Sequence, residues 1–509
     1  MPSLLGIDNG LTVTKAVLFD TDGTVLSVAR RRVPQSIPAP RFVERDMDGL
    51  WRATAEAIAE AIALSGRPAS DIAAIAATAH GDGLYLLGED NQPLGPGILS
   101  LDSRAGDIIA DWEKNGTADK ALALTGQRPH LSAPSALLAW LARHAPERYA
   151  RIGAVLGCKD WLTFCLTGHV GTDRTEASTS FTDVNTQDYS SAAAELYGLE
   201  RIYDRLAPSA HSAAIIGHVS DKAARATSLV AGTPVAAGLH DVTASALGIG
   251  AHKSGVMGVV AGTYSINEIV SEKPLTDPRW FCRNAIEPGQ WNAMSISPAS
   301  AANYDWFLDT LCQGEHEKAA SGGPPIHEAL AGDIEAAIAR PSSVLFHPYL
   351  FGSPHGGASS GSFIGLHGWH DRGDMLKAVL EGIAFNHREH VDALEDGFPY
   401  EQVRLTGGIS RNPAFAQMFA DILAHPVTVT ATEEAAAWGA ALCAGAAVGL
   451  YNSPTDDPRD LDAISRTFRP DDRKAATYDR RFAVYRDISE ALKPHWKTLE
   501  ALGDRENGQ

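Results

Sequence analysis

Asp8, Gly10, Thr12, Thr14 and Lys15 lie in the stretch LLGIDNGLTVTKAVLFD, and Gly262, Thr263 and Ser265 occupy the matching places in GVMGVVAGTYSINEIV. In both stretches a glycine turn carrying hydroxyls interrupts β-branched and apolar residues, which reads as strand, turn, strand, twice in one chain. A glycine turn lets backbone N–H groups come close to an anion, and hydroxyls add donors, so two such turns suit the phosphates of one nucleotide. Two ordinary hairpins account for the same pattern.

Asp8 stands directly before the first turn, where a carboxylate can hold a Mg²⁺ ion that also touches nucleotide phosphates; a turn-stabilising Asp is the competing reading. Lys15 can offset phosphate charge or be a solvated strand residue. Asp241 follows TPVAAGL and precedes a helix starting near Val242. A carboxylate at such a junction can act as the base that takes a hydroxyl proton during phosphoryl transfer, and it can equally be an N-cap; local sequence does not separate the two. Gly407 and Gly408 end a strand-like run and permit close approach of a ring or phosphate, while Asn412 can bond a base or ribose or cap the following helix.

These residues need elements to hold them. Met47–Ser65 has helical periodicity and Asp71–Ala79 reads as a buried strand, so strands alternate with helices and the class is α/β. Ala133–His144 is a further helix. The second half repeats the alternation through LFHPYL, a long helix from Gly373 to Leu394, QVRLTGG, NPAFAQMFADIL, PVTVTA and an alanine-rich helix after Glu434. A chain of 509 residues exceeds one core, and the expected division is 1–248 and 249–509, with the two glycine turns facing each other across a cleft.

A formal net charge of −19 without a clustered basic surface argues against a nucleic-acid partner. The five cysteines are odd in number and lack C-x-x-C spacing, as in a reducing compartment. No basic leader or membrane-length apolar run is evident, so a cytoplasmic location is expected. Disorder is expected only in the last residues, ALGDRENGQ.

Three motifs point elsewhere. Gly357–Gly361 matches G-x-S-x-G, and His355-Gly356-Gly357 resembles an oxyanion-hole run, but a hydrolase keeps these far apart and places its Ser directly after a strand. His387 and His390, without a third ligand nearby, are expected on the surface. The absence of G-x-x-x-x-G-K-[ST] argues against a P-loop kinase.

Taken in order, GIDNGLTVTKAV, ERDMDGLW, LSLDSRA, GTDRTEAS, GLHDVTASALG, VVAGTYS and LTGGISRNPAFAQMFADIL resemble the FGGY carbohydrate kinase family over nearly the whole chain. The resemblance implies two actin-like ATPase (ribonuclease-H-type) domains flanking an interdomain cleft, with ATP and Mg²⁺ as cofactors. It maps Asp241 to the catalytic base and Asp8 to the magnesium-linked carboxylate. Gly10, Thr12, Thr14, Lys15, Gly262 and Thr263 map to the phosphate turns, and Gly407, Gly408 and Asn412 to the adenosine site. His80, Asp82, Asp102 and Arg104 map to the sugar site. Family habit also suggests a homodimer.

Leu137 stands where the family signature usually has Lys, and FGSPHGGASSGSFIGL replaces a Gly-Glu-Arg segment after HPYL. Both departures resemble the L-xylulose kinase branch, whereas His80-Gly81-Asp82 is more like erythritol kinases. The implied activity is ATP-dependent phosphorylation of a primary hydroxyl on a small open-chain sugar, a pentulose such as xylulose, with erythritol or another polyol as the alternative. A reading of another class is an actin-like or chaperone-type ATPase switch with no sugar substrate.

Overall fold

The computed structural model describes residues 1–354 and 358–504. The His355-Gly356-Gly357 run, and the end of the tail from Arg505 to Gln509, lie outside the described residues. Two compact units form. The first takes Met1–Ser254, Val270–Ala293 and Thr432–Asp460; the second takes Gly255–Ile269, Met294–Ala431 and the chain from Leu461 onward.

The first unit is built on a seven-stranded sheet. Its path runs Ile215–His218, Pro234–Ala236, Ile72–Ala79, Ser3–Asn9, Val13–Asp20, Val25–Arg32, and the short strand Leu239–His240 also lies beside Ile72–Ala79. Ser3–Asn9 is covered on both faces because its residues from Ser3 to Ile7 are all small or apolar. Leu5 and Ile7 pack with Leu50, Ile58 and Ala61 of helix Met47–Ser65. Leu4 joins Val17, Phe19, Ala437, Trp438 and Ala441 on the other face, so helix Ala435–Ala447 returns from late in the chain to close the core.

That helix packs backbone to backbone against helix Asp241–Gly248. A Cβ on Gly439 would lie 2.1 Å from Ala244 O, and one on Gly248 would lie 2.0 Å from Ala435 O. The small residues are therefore what sets the approach of the two helices, and with it the position of Asp241.

In the second unit the hairpin formed by Val256–Ala261 and the strand from Ser265 to Ile269 lies parallel, through its first strand, to Gln402–Thr406. Gln402–Thr406 is parallel to Val427–Thr430, which pairs antiparallel with Ser465–Phe468. Helix Pro413–Leu423 buries Phe415, Met418, Phe419 and Ile422, spaced i, i+3, i+4, i+7, and begins on Asn412 and Pro413 as an N-cap followed by Pro at the first helical position. Ser359 precedes the strand Ser362–Ile364 instead of following one, which is opposite to the order a hydrolase elbow needs.

His387 and His390 were expected on the surface, but both are buried in helix Arg372–Glu395. The His387 ring bonds Ser265, Asn267 and Ser300, and His390 bonds Ser295 and Ser297. A hydroxyl-rich strand and loop supply the partners that make these histidines satisfied interior residues. Among the described residues all five cysteines are free thiols, and no helix is long and apolar enough to cross a membrane.

Candidate active site

In the first unit three neighbouring parallel strands end together. Asn9 and His240 both pair with Ala79. Asp8, His80-Gly81-Asp82 and Asp241 thus leave the sheet at its carboxyl edge, the edge at which α/β sheets bind ligands. The exits are tight. Gly238 has φ +75° and a Cβ there would lie 1.9 Å from Ala77 O, while a Cβ on Gly81 would lie 1.7 Å from His240 Nε2. Asp82 itself takes φ +57°, an uncommon conformation for a residue with a side chain.

Asp241 is the first residue of its helix and His240 is the cap, so the carboxylate is not an N-cap. Its Oδ1 accepts the Val242 N–H at 2.7 Å, and Oδ2 is not tied to that bond. Burial, reinforced by the charge of Asp8, pushes the Asp241 carboxyl up to about 7. Asp8 is also raised by burial, against the pull of Lys15. The Lys15 ammonium lies 3.3 Å from Asp8 Oδ2 and 2.9 Å from Glu434 Oε2. Burial works against its charge, but Asp8 and Glu434 outweigh burial and hold it above the usual lysine value.

Asp82 faces Arg283, whose Nη2 donates to Oδ1 at 2.9 Å and whose Nη1 reaches Oδ2 at 3.3 Å. Burial alone would raise this carboxyl; Arg283, then His130, overcome it and hold Asp82 below the usual carboxylate range. Arg283 Nη1 also lies 3.4 Å from His240 Nε2. A guanidinium only donates, so Nε2 is the acceptor and the proton sits on Nδ1, which faces Asp241 Oδ1 at 3.3 Å. Burial, then Arg283, lowers His240 to about 4, keeping the ring neutral near pH 7. His80, lowered to about 3 by burial and by Arg45, approaches Tyr85 Oη with Nε2 at 3.3 Å.

Asp102 and Arg104 are brought together with each other. Asp102 accepts Arg104 Nε at 2.9 Å and Nη2 at 2.7 Å, plus the Val43 N–H at 2.7 Å. Glu44 and the faces of Phe42 and Trp140 complete the enclosure of Arg104.

The hydroxyls of the two glycine turns divide by the same rule in each unit. Thr14 is buried and bonds Thr54 at 3.1 Å; Ser265, at the matching register, is buried against His387. Thr12 and Thr263, at the turn tips, are exposed. In the second unit Gly407 has φ +108°, and a Cβ on it would lie 2.2 Å from Ala261 O, so the strand end before Gly262 and the strand end before Gly408 touch through a glycine. Asn412 Oδ1 accepts the Ala414 and Phe415 N–H groups at 2.9 and 3.2 Å, leaving its amide nitrogen as a donor. Among the described residues no three metal-ligating side chains cluster.

Residues 3–248 match the N-terminal domain, and residues 257–448 the C-terminal domain, of the FGGY family of carbohydrate kinases. The chain belongs to that family. It is 32% identical over 494 residues to an L-xylulose/3-keto-L-gulonate kinase of Escherichia coli, covering 96% of this chain and 97% of that protein. It is 30% identical over 512 residues to an erythritol kinase of Brucella abortus, covering 97% of each. A solved xylulose kinase from Rhodospirillum rubrum superposes with a TM-score of 0.83 at 28% identity, covering 97% of this chain and all of that one. The protein is thus an FGGY sugar kinase of the actin-like ATPase fold, an alcohol-acceptor phosphotransferase that uses ATP as donor.

In this FGGY kinase several groups beside the expected residues escaped the sequence reading. Arg283 lies 201 residues from Asp82 and Glu434 lies 419 from Lys15. The one local signal for Arg283 is an arginine directly after Phe281 and Cys282 in a short, largely buried strand; Glu434 reads as an ordinary acidic start to a helix.

Proposed function

We propose that this FGGY kinase transfers the γ-phosphoryl group of ATP to a primary hydroxyl of a pentulose such as xylulose, with Asp241 as the base. The observation carrying this reading is the gathering of Asp241, Asp82, His80 and Asp8 at adjacent strand ends. The names of its relatives support a ketose or polyol of four or five carbons, with a six-carbon keto sugar acid as a further substrate in the name of the Escherichia coli enzyme. Erythritol remains the second reading, favoured by the likeness to the Brucella abortus enzyme and by the Gly81-Asp82 turn.

In this reading Asp82 and His80 bond acceptor hydroxyls, with the Asp102–Arg104 pair as a fixed neighbouring wall. Asp241 orients the attacking hydroxyl and takes its proton, a role that a carboxyl near neutrality performs well because it is half-ionised at working pH. Gly10, Thr12 and Lys15 in the first unit, and Gly262 and Thr263 in the second, contact phosphate oxygens; Thr14 secures the first turn from inside. Gly407, Gly408 and the Asn412 amide hold the adenosine. The hard oxygen donors of the Asp8 carboxylate fit Mg²⁺, which binds through one or two carboxylates and completes its shell with water and phosphate. When bound, the ion neutralises charge developing on the transferred group.

The test is ADP release with Mg-ATP over D-xylulose, L-xylulose, D-ribulose, L-ribulose, erythritol, glycerol and gluconate. A single pentulose with the highest kcat/KM supports the reading. Erythritol as the winner replaces it with the second, and turnover with gluconate alone refutes both.

A further inference from the structure

Arg283 has no role in the assignments above, yet it joins more of the candidate site than any of the expected residues. Its side chain is 2% exposed. Gln127 Oε1 accepts its Nε at 2.8 Å, the Phe281 ring lies 4.9 Å beneath it, and its two terminal nitrogens reach both oxygens of Asp82 and the ring of His240. A guanidinium held at its stem and facing a carboxylate with its fork fixes the carboxylate plane.

Asp82 keeps 15% of its side chain exposed, so oxygen lone pairs remain for a ligand after Arg283 and the His130 ring, 3.4 Å away, have taken theirs. What this corner presents is a carboxylate whose counter-charge sits behind it. Hydroxyl groups donate well to such a group. A carboxylated sugar would meet a like charge, with the guanidinium already engaged. Three other basic side chains near these strand ends are matched as well. Lys15 is held by Asp8 and Glu434, Lys159 by Asp160 and Asp173, and Arg104 by Asp102 and Glu44. Arg45 is the exception: its Nη2 donates to Leu11 O, its Nε and Nη1 have no hydrogen-bond partner among the described residues, and burial to 1% exposure, not a carboxylate, keeps it from a ligand.

We propose that Arg283 is a positioning and specificity residue: by clamping Asp82 it presents a carboxylate to acceptor hydroxyls, and the first unit therefore selects an uncharged ketose or polyol over a sugar acid. The inference rests on the kinase reading above and adds to it the charge of the acceptor and the residue that sets it.

The experiment compares three five-carbon probes with different ends, L-xylulose, xylitol and L-xylonate, by calorimetric binding to the full chain and by ADP release. The wild-type protein should bind L-xylulose or xylitol at least tenfold more tightly than L-xylonate. Asp82→Asn releases the guanidinium, so L-xylonate should bind at least tenfold more tightly than to wild type while the neutral probes weaken. Arg283→Gln should raise KM for the neutral acceptor at least tenfold and change kcat less than threefold, and Arg283→Lys should recover part of the loss. Equal or preferred binding of L-xylonate by wild type, or an unchanged KM in Arg283→Gln, overturns the inference and leaves the kinase reading standing. No binding of any probe, together with no ADP release across the wider sugar panel, removes both. Should a single variant fail to fold in a thermal melt, the double variant Asp82→Asn/Arg283→Gln carries no buried charge at this place. It should lose the neutral preference and gain nothing for L-xylonate; a gain would overturn the proposal.

Discussion

Asp241→Asn tests the site through two independent readouts. The substitution keeps an oxygen able to accept the Val242 N–H, so the local helix start should survive. As a base, Asp241 is worth roughly 10²- to 10⁴-fold in turnover, and ATP affinity should stay within a few fold. The carboxyl also carries a cost in the free protein. Its folded value is about 7 against 3.8 for the unfolded chain, a gap of roughly 3 units or about 4 kcal/mol at 1.36 kcal/mol per unit. The side chain is 32% exposed, so solvent screening reduces this to about 1–2 kcal/mol. The sign follows from proton binding. Because the folded value is raised, the native state holds the proton more tightly, and the ionised carboxylate destabilises it increasingly from pH 3.8 to about 7, then by a constant amount above. The Asn variant, which has no such group, should melt above wild type at pH 8, with the advantage shrinking as pH falls toward 5. ADP release over the best acceptor, and melting curves at pH 5, 6, 7 and 8, measure both effects. A variant that retains wild-type turnover refutes the base. A stability difference independent of pH refutes the electrostatic account of the site while leaving the catalytic one to the kinetics.

Four further outcomes are expected. Wild-type log(kcat/KM) should rise with unit slope up to about pH 7 and level off above it, since Asp241 must be ionised in the free enzyme; a profile flat from pH 5.5 to 8 would contradict this. Thr12→Val should raise KM for ATP with an unchanged melting temperature, whereas Thr14→Val, which removes the buried bond to Thr54 while Thr54 keeps its own to Leu50 O, should cost about 1 kcal/mol of stability by melting. Gly407→Ala, at φ +108° and 2.2 Å from Ala261 O, should destabilise the second unit by about 1–3 kcal/mol in hydrogen exchange and weaken ATP binding in calorimetry. Glu434→Gln should leave Lys15 to Asp8 and raise KM for ATP by about 3- to 10-fold, read by initial rates; an unchanged value would make the Glu434–Lys15 pair a purely structural tie.

The glycine turns were legible because a hairpin tip writes its chemistry into consecutive residues. What the turns could not reveal is which hydroxyl points where, because period-two alternation in a strand fixes opposite faces but does not name the face that meets a helix. Thr14 and Ser265 lie on that inner face, bonded to Thr54 and His387, partners 40 and 122 residues away. His387 and His390 were misread for the same reason. A histidine on a helix reads as polar and therefore exposed, and only the hydroxyls of Ser265, Ser295, Ser297 and Ser300, folded against it from another part of the chain, make its burial favourable.

Asp241 shows the limit most clearly. Its sequence context fits a cap and a base equally, and the difference turns on one residue of offset. His240 takes the cap position, so the carboxylate moves to the first helical turn and faces the strand ends of Asp8 and Asp82. That offset is enforced from a distance. Gly238 lets the chain turn across Ala77, Thr175 Oγ1 accepts the His240 N–H at 2.9 Å, and Gly439 lets the late helix press on Ala244. None of these residues carries chemistry, and Thr175 and Gly439 lie outside the motif they support. The candidate base is therefore a property of the packing between helices Asp241–Gly248 and Ala435–Ala447. Widening that seam with Gly439→Val should lower kcat without touching a polar group of the site. A kcat equal to wild type, in a variant that still folds, would show that the position of Asp241 is set by its strand alone.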